Sequence, residues 1–441
     1  MVLIFLLISV VLIILLTARF QVHPFLALFL VAVFYGFLTG MPLDLIIASI
    51  NDGFGETLGK IGLIIIFGVI IGAFLENSGG AYALAEKVLL IVGKKNVSVA
   101  MSMIGYFVSI PVYADSGFIL LAPLNRSLAK KAGISLAGPA VALGLGLTIT
   151  HTMVPPTPGP IAAAGILDAN LGLVMLIAVP VSAFALMCCL LYATKYAAKT
   201  YIEPNPDISE EEIQHRLKDA PGIVKSSIPV VVPILLILLK SIVESIEIFS
   251  PHLQIISFLG EPVVALCIGA ILSLSLPKKL EKKMLSSDGW VGKALKDAAS
   301  VILITGAGGI FGKVLQNSGI AATLGESLAG VNLNIWLPFL LAAAIKTAQG
   351  SSTVALITTA SIILPMMGPL GFETERQKAI VVVAIGAGSA VVSHANDSFF
   401  WVVTQLSGMG VKTGYRIYTV GTFILGGSAA LFLYVIYLVF T

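Results

Sequence analysis

Apolar residues run along this chain in blocks. "MVLIFLLISVVLIILL" (1–16) and "FILGGSAALFLYVIYLVF" (423–440) each approach the roughly 20 residues that a helix needs to cross a bilayer. Blocks of this kind predict ten crossings, the first five near 2–17, 24–40, 60–76, 136–165 and 169–194. The second five lie near 224–243, 255–276, 299–316, 378–407 and 415–440. Two further stretches, about 97–125 and 333–366, are too long for one crossing and too short for two. Each is interrupted at mid-length, by "SIPVYADSG" (109–117) and "KTAQGSS" (346–352). A re-entrant helical hairpin, which dips into the bilayer and returns to the same side, satisfies both features. Irregular backbone at that depth is stable only where protein or a water-filled cavity surrounds it.

Composition supports an all-α polytopic membrane protein. The chain is 57% hydrophobic and 11% charged, with a mean hydropathy of +1.01, whereas soluble domains carry about 25% charged residues. A net charge of +3 gives no reason to expect nucleic acid as a partner; the partner is the lipid bilayer. With ten crossings and two hairpins that do not cross, the great majority of the 26 lysines and arginines fall on one face. The positive-inside rule makes that face cytoplasmic and puts both termini on the extracytoplasmic side of the cell inner (plasma) membrane. Letting the hairpins cross weakens the asymmetry. The first apolar run lacks a basic segment before it and a small-residue cleavage site after it, which predicts a retained helix rather than a signal peptide. Cys188, Cys189 and Cys267 lie within predicted spans without metal-ligand spacing, so no metal or other cofactor is expected.

The two halves resemble each other. "GVIIGAFLENSGG" (68–80) aligns with "GGIFGKVLQNSGI" (308–320), and "TITHTMVPP" (148–156) with "AVVSHANDS" (390–398), pairing His151 with His394. Five crossings per copy is an odd number, so the copies point in opposite directions. The expected organisation is inverted repeat 1 over 1–194, with a hairpin at about 97–125 and a broken helix at about 136–165. A cytoplasmic linker over 195–223 follows, whose charge run "SEEEIQHRLKD" reads as a solvated helix. Inverted repeat 2 covers 224–441, with a hairpin at about 333–366 and a broken helix at about 378–407. Such repeats are a recurring plan of secondary transporters, with the substrate near the bilayer midplane where broken helices meet.

The breaks concentrate the chemistry. They are "PVYADSG" (111–117), "HTMVPPTPGP" (151–160), "KTAQGSST" (346–353) and "SHANDSFF" (393–400). Each interrupted helix restarts with free N–H groups and a dipole end that attract negative charge. Gly117, Gly159 and Gly350 are expected to permit tight turns and close approach to a ligand. Ser116, Thr157, Ser351, Ser352, Thr353 and Ser398 are capping types at such restarts. Four prolines between 155 and 160 force the backbone open beside His151 and Thr152. Asp115, His151, Lys346, His394 and Asp397 are ionisable inside the membrane, where such residues are costly and serve function by default. Asp397, His394, His151 and Asp115 are candidates to carry a proton; Lys346 is a candidate to balance a substrate carboxylate. Asn396 and Gln349 suit hydroxyl recognition. The competing reading for each is a polar bridge that holds a broken helix together. The sum is a polar chamber suited to a small anionic or polyhydroxylated solute, with no catalytic residue and hence no enzyme expected.

At these breaks the sequence resembles the gluconate permease family, of the ion transporter superfamily of inverted-repeat carriers. "HTMVPPTPGP" is similar to the family's His–x–x–x–Pro–Pro–x–Pro–Gly–Pro signature, "AQGSSTVAL" (348–356) to Ala-Gln-Gly-Ser-x-Thr-Val-Ala, and "SHANDSFFW" (393–401) to Ser-His-x-Asn-Asp-x-x-Phe-Trp. The resemblance implies proton-coupled uptake of gluconate or a related small hydroxy acid, D-serine or glycerate in some members, and a homodimer. By motif it implicates His151, Gln349, Ser351, Thr353, His394, Asn396 and Asp397. Thr157 stands where many members place a second histidine, Phe399 where glycine is common, and Lys346 where arginine is usual. A sodium-coupled carrier of the same architecture is the nearest alternative, a channel the next. An intramembrane enzyme ranks last, since H-E-x-x-H is absent from the sequence.

Overall fold

The computed structural model describes residues 2–93, 96–204, 220–245, 251–319, 333–395 and 397–440, and among these there are helices and no strands. The first half contains α1 (Val2–Ile14), α2 (Pro24–Leu38), α3 (Leu43–Asn77), α4 (Gly80–Val92), α5 (Val97–Val108), α6 (Ala114–Lys131), α7 (Ala137–Met153), α8 (Pro158–Ile166) and α9 (Leu171–Lys195). The second contains α10 (Ile223–Ser245), α11 (Pro251–Leu259), α12 (Pro262–Ser273), α13 (Trp290–Asn317), α14 (Trp336–Gln349), α15 (Ser352–Ile363), α16 (Glu375–Ser389) and α17 (Ser398–Leu406). A short helix, Val411–Gly414, then runs through a π-helical turn, Tyr415–Thr419, into α18 (Val420–Phe440). Among the described residues, six helical stretches are long and apolar enough to cross a membrane. The protein is an all-helical, multi-pass membrane protein.

Local sequence explains where these helices start. Pro24 occupies the first turn of α2, where a missing N–H costs nothing, and the His23 ring accepts a bond from the Phe25 N–H. Asn170 caps α9 by accepting from the Leu173 N–H at 3.1 Å. Thr374 and Gln377 form a reciprocal capping box at the start of α16.

Several elements differ from the apolar-block reading. The third crossing, expected at 60–76, is the second half of a 35-residue helix, α3, that also takes in "NDGFGETLGK". Asp52 and Glu56 punctuate the apolar run without breaking the helix, because their side chains lie on its exposed face. The crossing expected at 255–276 is divided at Gly260–Glu261, where Pro262 opens a new helix, into α11 and α12. The chain between α3 and the first interrupted stretch forms the extra helix α4. Most of the charged linker, 205–219 with "SEEEIQHRLK" and its Arg216 and Lys218, lies outside the described residues, as do Lys94, Lys95 and Asn396.

Long α3 packs along α13, and α13 also packs on α2. Against this pair lie the interrupted elements: α5 packs on α7, α14 on α16, α8 on α15 and α17 on α6. Glycine permits the two tightest of these approaches. A Cβ on Gly146 would sit 2.3 Å from the Ser102 carbonyl oxygen of α5, and one on Gly388 2.2 Å from the Phe339 carbonyl oxygen of α14. No larger residue fits at that separation, so the first arm of each interrupted pair lies directly on the backbone of a broken helix.

Candidate functional site

Four breaks in the helices converge. In the first, α5 ends at Ser109 and α6 begins after Tyr113, whose extended backbone starts the new helix. Asp115 and Ser116 fall in the first turn of α6, where a carboxylate complements the helix dipole. In the second, α7 ends beyond His151 and α8 starts after Thr157, which occupies the N-cap position. The Thr157 hydroxyl donates to the Val154 carbonyl at 2.7 Å rather than capping α8. Thr152 likewise donates back to Thr148, at 2.9 Å.

In the third break, Gly350 adopts φ +91°, and its N–H closes the last turn of α14 on the Lys346 carbonyl. This is the left-handed geometry that glycine takes without strain. Ser351 then caps α15, its hydroxyl accepting from the Val354 N–H at 3.3 Å, with Ser352 and Thr353 in the first turn. The Gln349 amide donates to the Ser351 carbonyl at 2.6 Å, tying the two ends together. Gly117 and Gly159, expected to make turns, sit inside α6 and α8 with helical backbone. Their role is packing: a Cβ on Gly159 would lie 2.7 Å from Leu356 of α15.

The fourth break opens at Val392, held at φ +54°, and closes where Asp397 caps α17. Asp397 Oδ1 accepts from the Phe399 N–H at 3.0 Å, while Oδ2 accepts from Lys346 Nζ at 2.6 Å and from the Ser393 hydroxyl. Lys346 also donates to the Gly350 carbonyl. Its side chain is 2% exposed and that of Asp397 10%, so this is a buried ion pair, braced by further hydrogen bonds, that joins α14 to the start of α17. His394 Nε2 bonds the Thr347 carbonyl at 2.8 Å, a second tie between the same two segments. Asn396 lies outside the described residues.

These breaks enclose a cavity of about 270 Å³, close to the lower end of the ~300–1,000 Å³ range of small-molecule sites. Of the residues singled out from sequence, Asp115, His151, Lys346, Gln349, Gly350, Ser351, Ser352, Thr353, Asp397 and Ser398 line it. Ser116, Thr152, Thr157 and His394 do not. Sequence reasoning missed Tyr113, Thr148, Ser393 and Tyr418, and noted Phe399 as a departure from the family pattern; all five line the cavity. Phe399 packs edge-on against Phe118 and Tyr418, with ring centroids 6.0 and 6.2 Å apart. The signal for Tyr113 was its place beside Asp115 in a break; Thr148 and Tyr418 sit within helices and carried none.

A larger cavity of about 470 Å³ lies elsewhere, bordered by Lys60, Asp168, Lys240 and Glu261. Its charges are already matched, Lys60 to Asp168 at 2.7 Å and Lys240 to Glu261 at 2.5 Å. Two helix starts, those of α9 and α12, border it, against three (α6, α15 and α17) at the smaller cavity, which is also where the breaks converge. The smaller cavity is therefore the candidate site.

Comparison with known proteins identifies the family. The family model described as GntP family permease matches residues 1–439. The gluconate permease of Pseudomonas aeruginosa is 33% identical over 448 residues, covering 98% of this chain and 97% of its own. The Gnt-II system L-idonate transporter of Escherichia coli is 31% identical, covering 93% of each. Among solved structures, the Alcanivorax borkumensis YdaH transporter matches with a TM-score of 0.59 over 87% of this chain and 86% of its own, at 15% identity. That last likeness concerns fold alone. An all-helical membrane chain with a polar cavity at its helix breaks, matched from end to end by one family, belongs to the GntP permeases and is a transporter, not an enzyme.

Proposed function

We propose that this permease imports a small hydroxylated carboxylate, gluconate or a related sugar acid, together with protons, and that the substrate binds in the cavity where the four breaks meet. The observation that carries the reading is the charge of that cavity. Lys346 is its one cation among the described residues, against two carboxylates, Asp115 and Asp397. The starts of α6, α15 and α17 open into it and attract an anion. The net negative charge opposes one in a poorly solvated setting. Neutralising one carboxylate as the acid enters resolves the conflict, which couples anion and proton.

Asp115 is the better proton carrier of the two. Asp397 is committed to Lys346, Ser393 and the start of α17, and its protonation would strand a buried cation. Asp115 has no such tie among the described residues, and shares the cavity with Lys346, Asp397, His151, Tyr113 and Tyr418. The substrate class is supported by relatives named for gluconate and L-idonate, both polyhydroxy acids. It is also supported by the mixture of hydroxyls, amide and helix ends around the space.

We read the architecture as two inverted repeats, residues 1–194 and 224–441, joined by a cytoplasmic linker at 195–223. Both termini are extracytoplasmic in the cell membrane, the interrupted pairs α5–α6 and α14–α15 re-enter the bilayer, and the carrier is a homodimer. Matched order supports the repeat: a long helix, an interrupted pair, a broken helix and a terminal crossing recur as α3, α5–α6, α7–α8, α9 and as α13, α14–α15, α16–α17, α18. The second arms also pack crosswise, α6 on α17 and α15 on α8. Movement of the interrupted elements against the remaining helices would expose the cavity alternately.

Uptake of labelled gluconate into proteoliposomes, with acid outside and no sodium, tests the proposal. Accumulation above the external concentration is expected, with competition by L-idonate, glycerate and D-serine ranking the acids. Accumulation only under a sodium gradient would replace the proton with sodium, and equilibration without accumulation would make the protein a channel.

A further inference from the structure

Two polar atoms at this cavity have no partner. The Tyr113 hydroxyl and His151 Nδ1 are both shielded from solvent and make no hydrogen bond among the described residues. Their rings lie 6.0 Å apart between centroids and come from two different breaks. Leaving such a group unsatisfied is costly, because it has given up its bonds to water without replacement. Both side chains line the main cavity, so a side-chain rotation on solute entry would turn each polar atom toward a solute there.

We infer that Tyr113 and His151 form a hydroxyl-recognition pair that makes the carrier selective for hydroxylated over plain carboxylic acids. Neutral His151 accepts a hydrogen bond at Nδ1 from a substrate hydroxyl. Tyr113 donates its O–H to an oxygen on the same carbon chain. The carboxylate end lies toward the starts of α15 and α17, where Ser351, Ser352 and Ser398 present helix-end N–H groups. The hydroxyl-bearing end lies toward the first two breaks. A site built this way rejects an analogue lacking the hydroxyl, because that analogue leaves the protein's own buried groups unpaired. The inference rests on the transport reading above and names the residues that set its specificity.

A rival partner exists. A small void of about 10 Å³, bordered by Gly68, Pro111 and Thr157, lies on the other side of the same two side chains. That is close to the minimum volume that holds one water. A water there would satisfy Tyr113 and His151 without any substrate.

The test is competition against labelled gluconate uptake in proteoliposomes by unlabelled gluconate and by its monodeoxy analogues. The wild-type protein and the Tyr113→Phe and His151→Asn variants are compared. Wild type is expected to bind at least one monodeoxy analogue about tenfold more weakly than gluconate. Tyr113→Phe is expected to lose that discrimination by weakening gluconate alone. His151→Asn, which keeps an acceptor near the Nδ1 position, is expected to retain most of it. Equal weakening of gluconate and every analogue in Tyr113→Phe, or no change, would assign the two groups to the void and overturn the inference. The proposed function would stand in that case, since it fails only if wild type does not accumulate the acid.

Discussion

Lys346 and Asp397 show how a residue's neighbours decide its role. From sequence, each is an isolated charge in an apolar chain, one suited to a substrate carboxylate and the other to a proton. Folded, they neutralise each other at 2.6 Å. Removing one partner of a buried pair strands the other at a cost of about 3–5 kcal/mol. Asp397→Asn should therefore lower the thermal unfolding temperature of the detergent-purified protein markedly, and adding Lys346→Met should recover much of the loss. A single variant as stable as wild type would show that the pair is not formed. Asp115→Asn should behave differently: stability held, accumulation under a pH gradient abolished, and gluconate exchange between equal pools retained. Persistence of pH-driven accumulation in Asp115→Asn would remove that residue from coupling. His394 was legible as a polar residue in a break, but its bond to the Thr347 carbonyl favours the bridging role over proton carriage. Thr148 and Tyr418 were not legible, because a threonine or tyrosine in an apolar helix has the same sequence signature whether it packs or faces a cavity, while Tyr113 was marked only by its place beside Asp115 in a break.

At the level of elements, the breaks were readable because proline, glycine and polar residues are costly in an apolar helix, and four such clusters announce four interruptions. Boundaries were less readable. Acidic residues inside α3 ended the apolar block without ending the helix, and Pro262 divided a block that hydropathy read as one. Pair geometry depends on glycine instead. Gly146→Ala and Gly388→Ala each place a methyl against a backbone carbonyl, which cannot move aside as a side chain can, so each should destabilise by about 1–3 kcal/mol. Gly410→Ala, with open space around it, is the control; equal thermal unfolding of all three would refute the close packing. Between elements, Lys60 donates to Asp168 at 2.7 Å, linking α3 to the loop after α8. That bond holds the Asp168 carboxyl below its ordinary value. A carboxyl lowered in the folded state stabilises above its unfolded pKa, and the contribution disappears as pH falls through the folded value. Both side chains are more than half exposed, so the effect is modest, about 0–1 kcal/mol. Wild type should lose a small margin over Asp168→Asn as pH falls below about 4. A constant difference across that range would mean the bridge contributes nothing.

For the whole molecule, the decisive expectation is orientation. Lys130, at the end of α6, and Arg376, at the start of α16, are both exposed, and the inverted plan puts them on opposite faces of the membrane. Single cysteines at the two positions should label from opposite sides of intact cells with an impermeant reagent; labelling from one side would refute the plan. The sequence alone determined that the chain lives in lipid, where its helices are interrupted, and which family it belongs to. Apolar length, helix-breaking residues and long motifs are local properties, and the bilayer enforces them segment by segment. Only the tertiary structure decided which polar groups share one cavity, that Lys346 and Asp397 are spent on each other, and that Tyr113 and His151 each keep a buried polar atom without a partner among the described residues. Those facts join residues separated by dozens to hundreds of positions, and hydrogen bonds act over a few ångströms of space, whatever the distance along the chain.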